Sequence, residues 1–277
     1  MYVLTRIIFS DILENVIISF EVIMYILSLD ATAKTAAAAV CVYNGGKLQV
    51  SSQCTFNTTL THSESLLPMV DFCLKGAGIS LEQIELAAIS AGPGSFTGVR
   101  IGISLLKGLC FSKKIKCVPV SALNALALNA DYYAPDTIIC PCMDARRNQF
   151  YNALFLCREN GKLERLCEDR AIGADELYNE LAVKYGTNKI LLVGDGVYLA
   201  QKLFAQNDKN EIDICLARED MIYQNAFSVA RAGICEYENN KDSKSYDDKS
   251  LLPTYLRLSQ AERERNERLN KNADRLQ

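Results

Sequence analysis

A chain of 277 residues that is 49% hydrophobic and 23% charged can bury a sizeable core in one large domain or two joined lobes, which excludes a disordered or fibrous protein. A net charge of −3 excludes a protein that grips nucleic-acid phosphates by itself, because that work needs a concentrated basic face. Eleven cysteines, an odd number without scaffold spacing, lie mostly in apolar runs, which fits reduced thiols in a cytoplasmic protein better than a disulfide framework.

Residues 1–23 are rich in Ile, Val and Phe, but Arg6, Asp11, Glu14 and Glu21 interrupt them. No run approaches the roughly 20 apolar residues of a membrane span, and the marks of a signal peptide are missing. A clean strand begins at Met24, so 1–23 is expected to be a start-site extension and Met24 the biological start.

From Tyr25 the pattern predicts strands at 25–30, 36–43 and 47–54, with Asn44-Gly45-Gly46 closing a hairpin between the second and third. Thr61 and Glu64 have the spacing of a capping box, so a helix follows. Its apolar face is Leu66, Leu67, Met69, Val70 and Leu74, its stop is Gly76 and Gly78, and Pro68 predicts a kink or a late start. A strand near 85–90 then leads into a glycine-punctuated loop with Gly92, Gly94, Ser95, Thr97, Gly98 and Arg100, which opens an apolar helix at 98–112. No Gly-Lys-Ser/Thr follows, which excludes a Walker phosphate loop. The loop reads as a tight turn that lets the helix approach other backbones closely, with an anion nest as the alternative.

A strand at 116–120 and a helix from Ser121 to about Ala130 end the first half. The second half repeats the order: strands near 137–143, 148–157 and 162–169, a helix at 174–185, a strand at 189–193, a helix at 197–206, a strand at 212–216 and a helix at 224–237. Two βββαβαβα halves predict a duplicated α/β fold with lobes at 24–130 and 131–238, each a mixed sheet covered by helices. Residues 239–250 read as an exposed loop, and the remainder to 277 as Pro253-Thr-Tyr-Leu-Arg257 followed by a charged helix with Glu264/Arg268 and Glu267/Lys271 at i,i+4.

Groups that could carry chemistry are sparse. Cys140-Pro-Cys142 reads as an inward-facing strand pair, and His62, the single histidine, as a local hydrogen-bonding partner beside the Thr61 cap. Asp144, Arg146 and Arg147 read as a turn and lobe-junction cluster, with a phosphate site as the alternative, while Tyr255 and Arg257 lock the C-terminal segment onto the body. Helix 98–112 spreads its apolar residues too widely for one stripe. Paired with the helix from His62, it is expected to offer a partner an apolar face that includes Leu66, Met69, Val70, Val99, Ile103 and Leu106, completing a four-helix bundle. Burial of all these positions within their own lobe is the alternative.

Five motifs give a resemblance. They are Ile26-Leu-Ser-Leu-Asp30-Ala-Thr32, His62-Ser-Glu-Ser-Leu-Leu-Pro68, Gly92 to Leu109, Asp144-Ala-Arg-Arg147 with Gln149 and Tyr151, and Pro253 to Arg257 with Gln260-Ala-Glu-Arg263. Over about residues 24–265 the chain resembles the TsaB, or YeaZ, family of the actin, Hsp70 and sugar-kinase superfamily. The resemblance implies a duplicated actin-like, ribonuclease H-like fold and a non-catalytic scaffold that pairs through the two helices with a TsaD-like catalytic paralogue. That machinery makes N6-threonylcarbamoyladenosine beside the tRNA anticodon. A TsaE-like ATPase joins it, tRNA is met only through the complex, no membrane is involved, and the subunit forms a homodimer when its partner is absent. The paralogue's metal site uses a His-x-x-x-His pair, which one histidine cannot build. Where nucleotide-binding relatives have Asp-x-Gly, this chain has Asp30-Ala31-Thr32-Ala33, so ATP binding is expected to be weak or absent, with no other cofactor. The rival readings are an active ATP-dependent phosphotransferase, a metallopeptidase, which a single histidine disfavours, and a homodimeric regulatory module.

Overall fold

The computed structural model describes residues 23–58, 60–130, 132–207, 212–242 and 245–257. The extension expected over 1–23, apart from Ile23, and the charged helix expected beyond Arg257 lie outside these described residues.

β1 (Met24–Asp30), β2 (Ala36–Asn44) and β3 (Lys47–Phe56) form an antiparallel meander. Gly45 and Gly46 turn it at φ of 55° and 78°, the two left-handed positions that match strand twist in a two-residue hairpin. β4 (Ile84–Gly92) and β5 (Lys116–Ser121) join in parallel, giving the order β3-β2-β1-β4-β5. Leu27 and Leu29 of β1 face α1 (His62–Ala77) and α2 (Phe96–Cys110), while Ile26 joins the cluster on the opposite face. That alternation is what burial of a sheet on both faces requires.

After α3 (Ala122–Leu128) the second half begins with β6 (Ile138–Asp144), β7 (Gln149–Asn152), β8 (Phe155–Cys157), β9 (Leu163–Arg165) and β10 (Arg170–Gly173). α4 (Ala174–Tyr185), β11 (Ile190–Val193), α5 (Val197–Phe204), β12 (Ile214–Leu216), α6 (Glu219–Ile222) and α7 (Ala226–Asn240) complete it. The main path of its seven-stranded sheet, β10-β7-β6-β11-β12, reproduces the first order, with β8 on β6 and β9 on β8 added beside it, so the duplication is real. β7 and β8 keep one register against β6 and separate opposite Cys140 and Pro141, the latter without an N–H for the ladder. The Asn152 amide fills that gap, donating to the Pro141 carbonyl at 2.9 Å. The strand expected over 162–169 is confined to β9, and β10 begins where it was expected to end.

The lobes exchange helices, which corrects the division at 130/131. Leu123, Leu126 and Ala127 of α3 belong to the core of the second lobe. α7, expected to close the second lobe, instead packs Val229, Ala230 and Ile234 on the first sheet beside Ile26, Leu86 and Val118. A Cβ on Gly233 would lie 2.4 Å from the Ala88 Cβ, so glycine there sets how closely α7 approaches β4. The loop expected to be exposed at 239–250 is also pinned in part. Tyr246 is buried, accepts the Cys117 N–H on its carbonyl at 3.0 Å and packs edge-on against Tyr237. All eleven cysteines are free, and among the described residues no helix is long and apolar enough to cross a membrane.

Candidate functional site

α1 and α2 both start against the short loop that follows β1. In α1 the capping box forms as the spacing predicts, with the Thr61 N–H donating to Glu64 Oε2 at 2.9 Å. Pro68 lies inside the helix on its exposed side, and it neither delays the start nor stops the helix before Ala77. In α2 the Ser95 hydroxyl accepts the Gly98 N–H at 3.3 Å, and the Ser95 N–H donates to the Thr32 carbonyl at 2.6 Å. His62 Nε2 meets the Ala33 carbonyl oxygen at 2.7 Å. A Cβ on Gly94 would stand 2.3 Å from the Thr32 carbonyl oxygen, and one on Gly98 2.0 Å from that of Ala31. The glycine loop therefore serves close backbone packing, and its neighbours are carbonyl oxygens, which disfavour an anion there.

Gly92 lies against the carbonyl of Thr254, whose N–H donates to the Ala91 carbonyl at 2.7 Å. Thr97 is exposed in the first turn of α2. Arg100 lies over the Phe96 ring at 3.8 Å and donates from Nε to the Tyr255 hydroxyl at 2.8 Å, while Phe96 and Tyr255 stack at 4.6 Å. Arg257 donates to the Ala145 carbonyl, so the segment 253–257 is tied to both lobes.

The structure corrects the expected partner face. Leu66, Met69, Val70, Val99, Ile103 and Leu106 are all between 0% and 4% exposed and point into the first lobe's own core. Both helices are apolar over more than half their circumference, and the sheet beneath takes the widest sector. What faces outward between the helices is Leu67, 51% exposed, with half-buried Ile101 and Leu105 and the small exposed residues Ser63, Ser104 and Gly108. A groove of about 400 Å³ runs between them, with His62 and Arg100 at one end.

A second cavity, of about 920 Å³, opens between the lobes. Lys34, Asp144, Asp195, Tyr223 and Arg257 are among its lining residues. Asp144 accepts the Arg146 N–H at 2.7 Å and pairs with the Arg146 guanidinium at 3.1 Å, within its own turn. Arg146, Arg147 and Asn148 take φ of 65°, 57° and 55°, and both arginine side chains project outward. They shape a hairpin, whereas Arg257, not Arg146 or Arg147, makes the bond across the lobe junction.

Asp195 follows Gly194 in the turn from β11 to α5, the counterpart of the glycine loop in the first half. Burial pushes its carboxyl up to about 6, with the Asp144 and Asp30 charges adding and the Asp144 N–H opposing. Asp30 is buried, and burial raises its pKa against the hydrogen bonds from Thr32. Its Oδ1 accepts from both the N–H and the hydroxyl of Thr32, at 2.8 and 2.7 Å. Asp144 and Asp195, far apart in the chain, line this one cleft, and the buried Asp30 lies close enough for its charge to act on Asp195. Cys140 and Cys142 are buried with sulfurs 3.7 Å apart, and among the described residues no three His, Cys, Asp or Glu side chains are placed to hold a metal ion.

The sequence profile of the family described as TsaD: tRNA N6-adenosine threonylcarbamoyltransferase matches residues 57–263. A Bacillus subtilis protein named tRNA threonylcarbamoyladenosine biosynthesis protein TsaB is 30% identical over 201 residues, 73% of this chain and 82% of that protein. A Haemophilus influenzae protein of the same name is 33% identical over 126 residues, 46% of this chain, and the match spans about half of that relative, 51%. Among solved structures, YeaZ from Pseudomonas aeruginosa superposes with a TM-score of 0.67 at 21% identity, covering 84% of this chain and 100% of that one. It shares the two-lobed, duplicated α/β fold. With that fold, the profile over most of the chain and the Bacillus subtilis relative in agreement, the chain belongs to the TsaB (YeaZ) family.

Proposed function

We propose that this chain is a non-catalytic subunit that pairs with a TsaD-like catalytic paralogue for N6-threonylcarbamoyladenosine modification of tRNA in the cytoplasm, with a TsaE-like ATPase joining the assembly. The observation that carries the reading is the apolar groove between α1 and α2, with Leu67 half exposed and Ile101 and Leu105 only partly covered. Two helices whose outer seam is apolar and small-residued fit a matching pair from a second molecule at coiled-coil-like spacing. In the partner's absence the same seam forms a homodimer, since a twofold interface uses one surface twice. The non-catalytic part of the reading is supported by the commitment of the sole histidine, His62, to the Ala33 carbonyl.

A cleft without tight nucleotide binding belongs to the same reading. Its support is that the Asp30 loop turns the carbonyls of Ala31, Thr32 and Ala33 toward α1 and α2, and that Ser95 caps the start of α2. Calorimetry with ATP is expected to give no saturable binding in the low-micromolar range. Low-micromolar affinity with turnover would favour the phosphotransferase.

The deciding experiment is co-purification of the Leu67→Asp/Leu105→Asp variant with its TsaD-like paralogue, alongside quantification of the modified adenosine in tRNA. Loss of pairing and of the nucleoside, with circular dichroism unchanged, is expected. Undiminished pairing overturns the reading.

A further inference from the structure

Cys54 on the edge strand β3 and Cys73 on α1, 19 positions apart in sequence, bring their sulfurs to 3.7 Å. Cys54 is half-buried, while Cys73 is buried and donates to the Ala38 carbonyl at 3.3 Å. We propose that these two thiols form a reversible disulfide under mild oxidation, fastening α1 to the edge of the first sheet.

Two other cysteine pairs lie close together, and each lacks a condition that this one meets. Cys140 and Cys142 are both buried and sit two apart on one strand. Cys110 and Cys117 are likewise both buried. Cys54 alone among these residues is only half-buried, and bond formation requires its sulfur and that of Cys73 to close by only about 1.7 Å toward the ~2.05 Å of a disulfide. The Cys54 thiol holds the Cys73 pKa below its ordinary range, against the effect of burial, while the same contact and burial raise that of Cys54.

With hydrogen peroxide as the oxidant the step balances. The thiolate of the pair attacks one peroxide oxygen, giving a sulfenic acid and releasing hydroxide, which takes up the proton the thiol had lost. The second sulfur then attacks the sulfenic sulfur, the S–S bond forms and a second water leaves. The two thiols are oxidised by two electrons and the peroxide is reduced to water. A dithiol reductant reverses the bond by exchange.

The test uses the full-length purified chain, titrated with hydrogen peroxide, alkylated and digested without reduction. A peptide linking Cys54 to Cys73 is expected before any link at the other two pairs, with the intact mass lower by two hydrogens and restored by dithiothreitol. Cys73→Ser should abolish the link, and Cys235→Ser, at an exposed thiol outside the pair, should leave it. The inference is overturned if Cys54 and Cys73 both remain alkylatable when Cys235 is already oxidised, or if the bond joins other cysteines. No partner enters the measurement, so its failure leaves the docking assignment standing.

Discussion

Ala31 and Gly98 meet backbone to backbone: a Cβ on Gly98 would lie 2.0 Å from the carbonyl oxygen of Ala31. The start of α2 is thus seated on the loop after β1, with no room for a side chain. His62 closes the same loop from α1 by its contact with the Ala33 carbonyl. The two helices that frame the outer groove are placed by one short stretch of backbone.

Gly98→Ala is therefore expected to lower stability by about 2 kcal/mol or more, since carbonyl and helix must separate to admit the methyl group. Chemical denaturation of the variant against wild type measures this. An effect under about 0.5 kcal/mol, the size of an ordinary surface change, would show that the loop yields freely.

Charge placed on the two sides of α2 and α1 should have opposite consequences. Val99→Asp or Leu106→Asp puts a carboxylate in a core position that is at most 1% exposed, and either is expected to cost upwards of about 4 kcal/mol and prevent folding. Leu67→Asp, at a half-exposed position, should leave the melting temperature within a few degrees of wild type. Thermal unfolding of the three variants separates a core helix face from a docking face.

The raised carboxyl of Asp195 fixes the sign of a pH effect. Its pKa climbs from 3.8 unfolded to about 6 folded, so across that window the native state binds more protons than the unfolded one. Stability from this group is full below pH 3.8, falls as pH rises, and is gone above about 6. Asp30, raised by the same cause, acts in the same direction. Asp195→Asn keeps an acceptor for the Asp144 N–H and should flatten the decline, adding on the order of 2 kcal/mol at neutral pH. Urea titrations at several pH values read the slope directly.

Tyr255→Ala removes both the stack on Phe96 and the acceptor for Arg100. A cost of about 1 kcal/mol is expected, together with faster amide exchange at Thr254, whose N–H is bonded to the Ala91 carbonyl. Tyr255→Phe keeps the stack and should lose only part of that. Hydrogen exchange over 251–257 distinguishes the two.

What the sequence by itself determined was local. Gly45-Gly46 specified the hairpin and Thr61 with Glu64 the start of α1, because a turn or cap depends on residues within reach of one another along the chain. The repeated element order also showed that two similar halves were present. Tertiary structure alone decided that Leu66, Val99 and Leu106 face inward and Leu67 outward, that α7 crosses to the first lobe, and that the buried Asp30 lies near Asp195 and Asp144 in the cleft. Hydrophobicity records that a side chain gains by leaving water. It does not record which surface removes it, and on helices apolar over more than half their circumference, that choice rests on the shape of the sheet beneath.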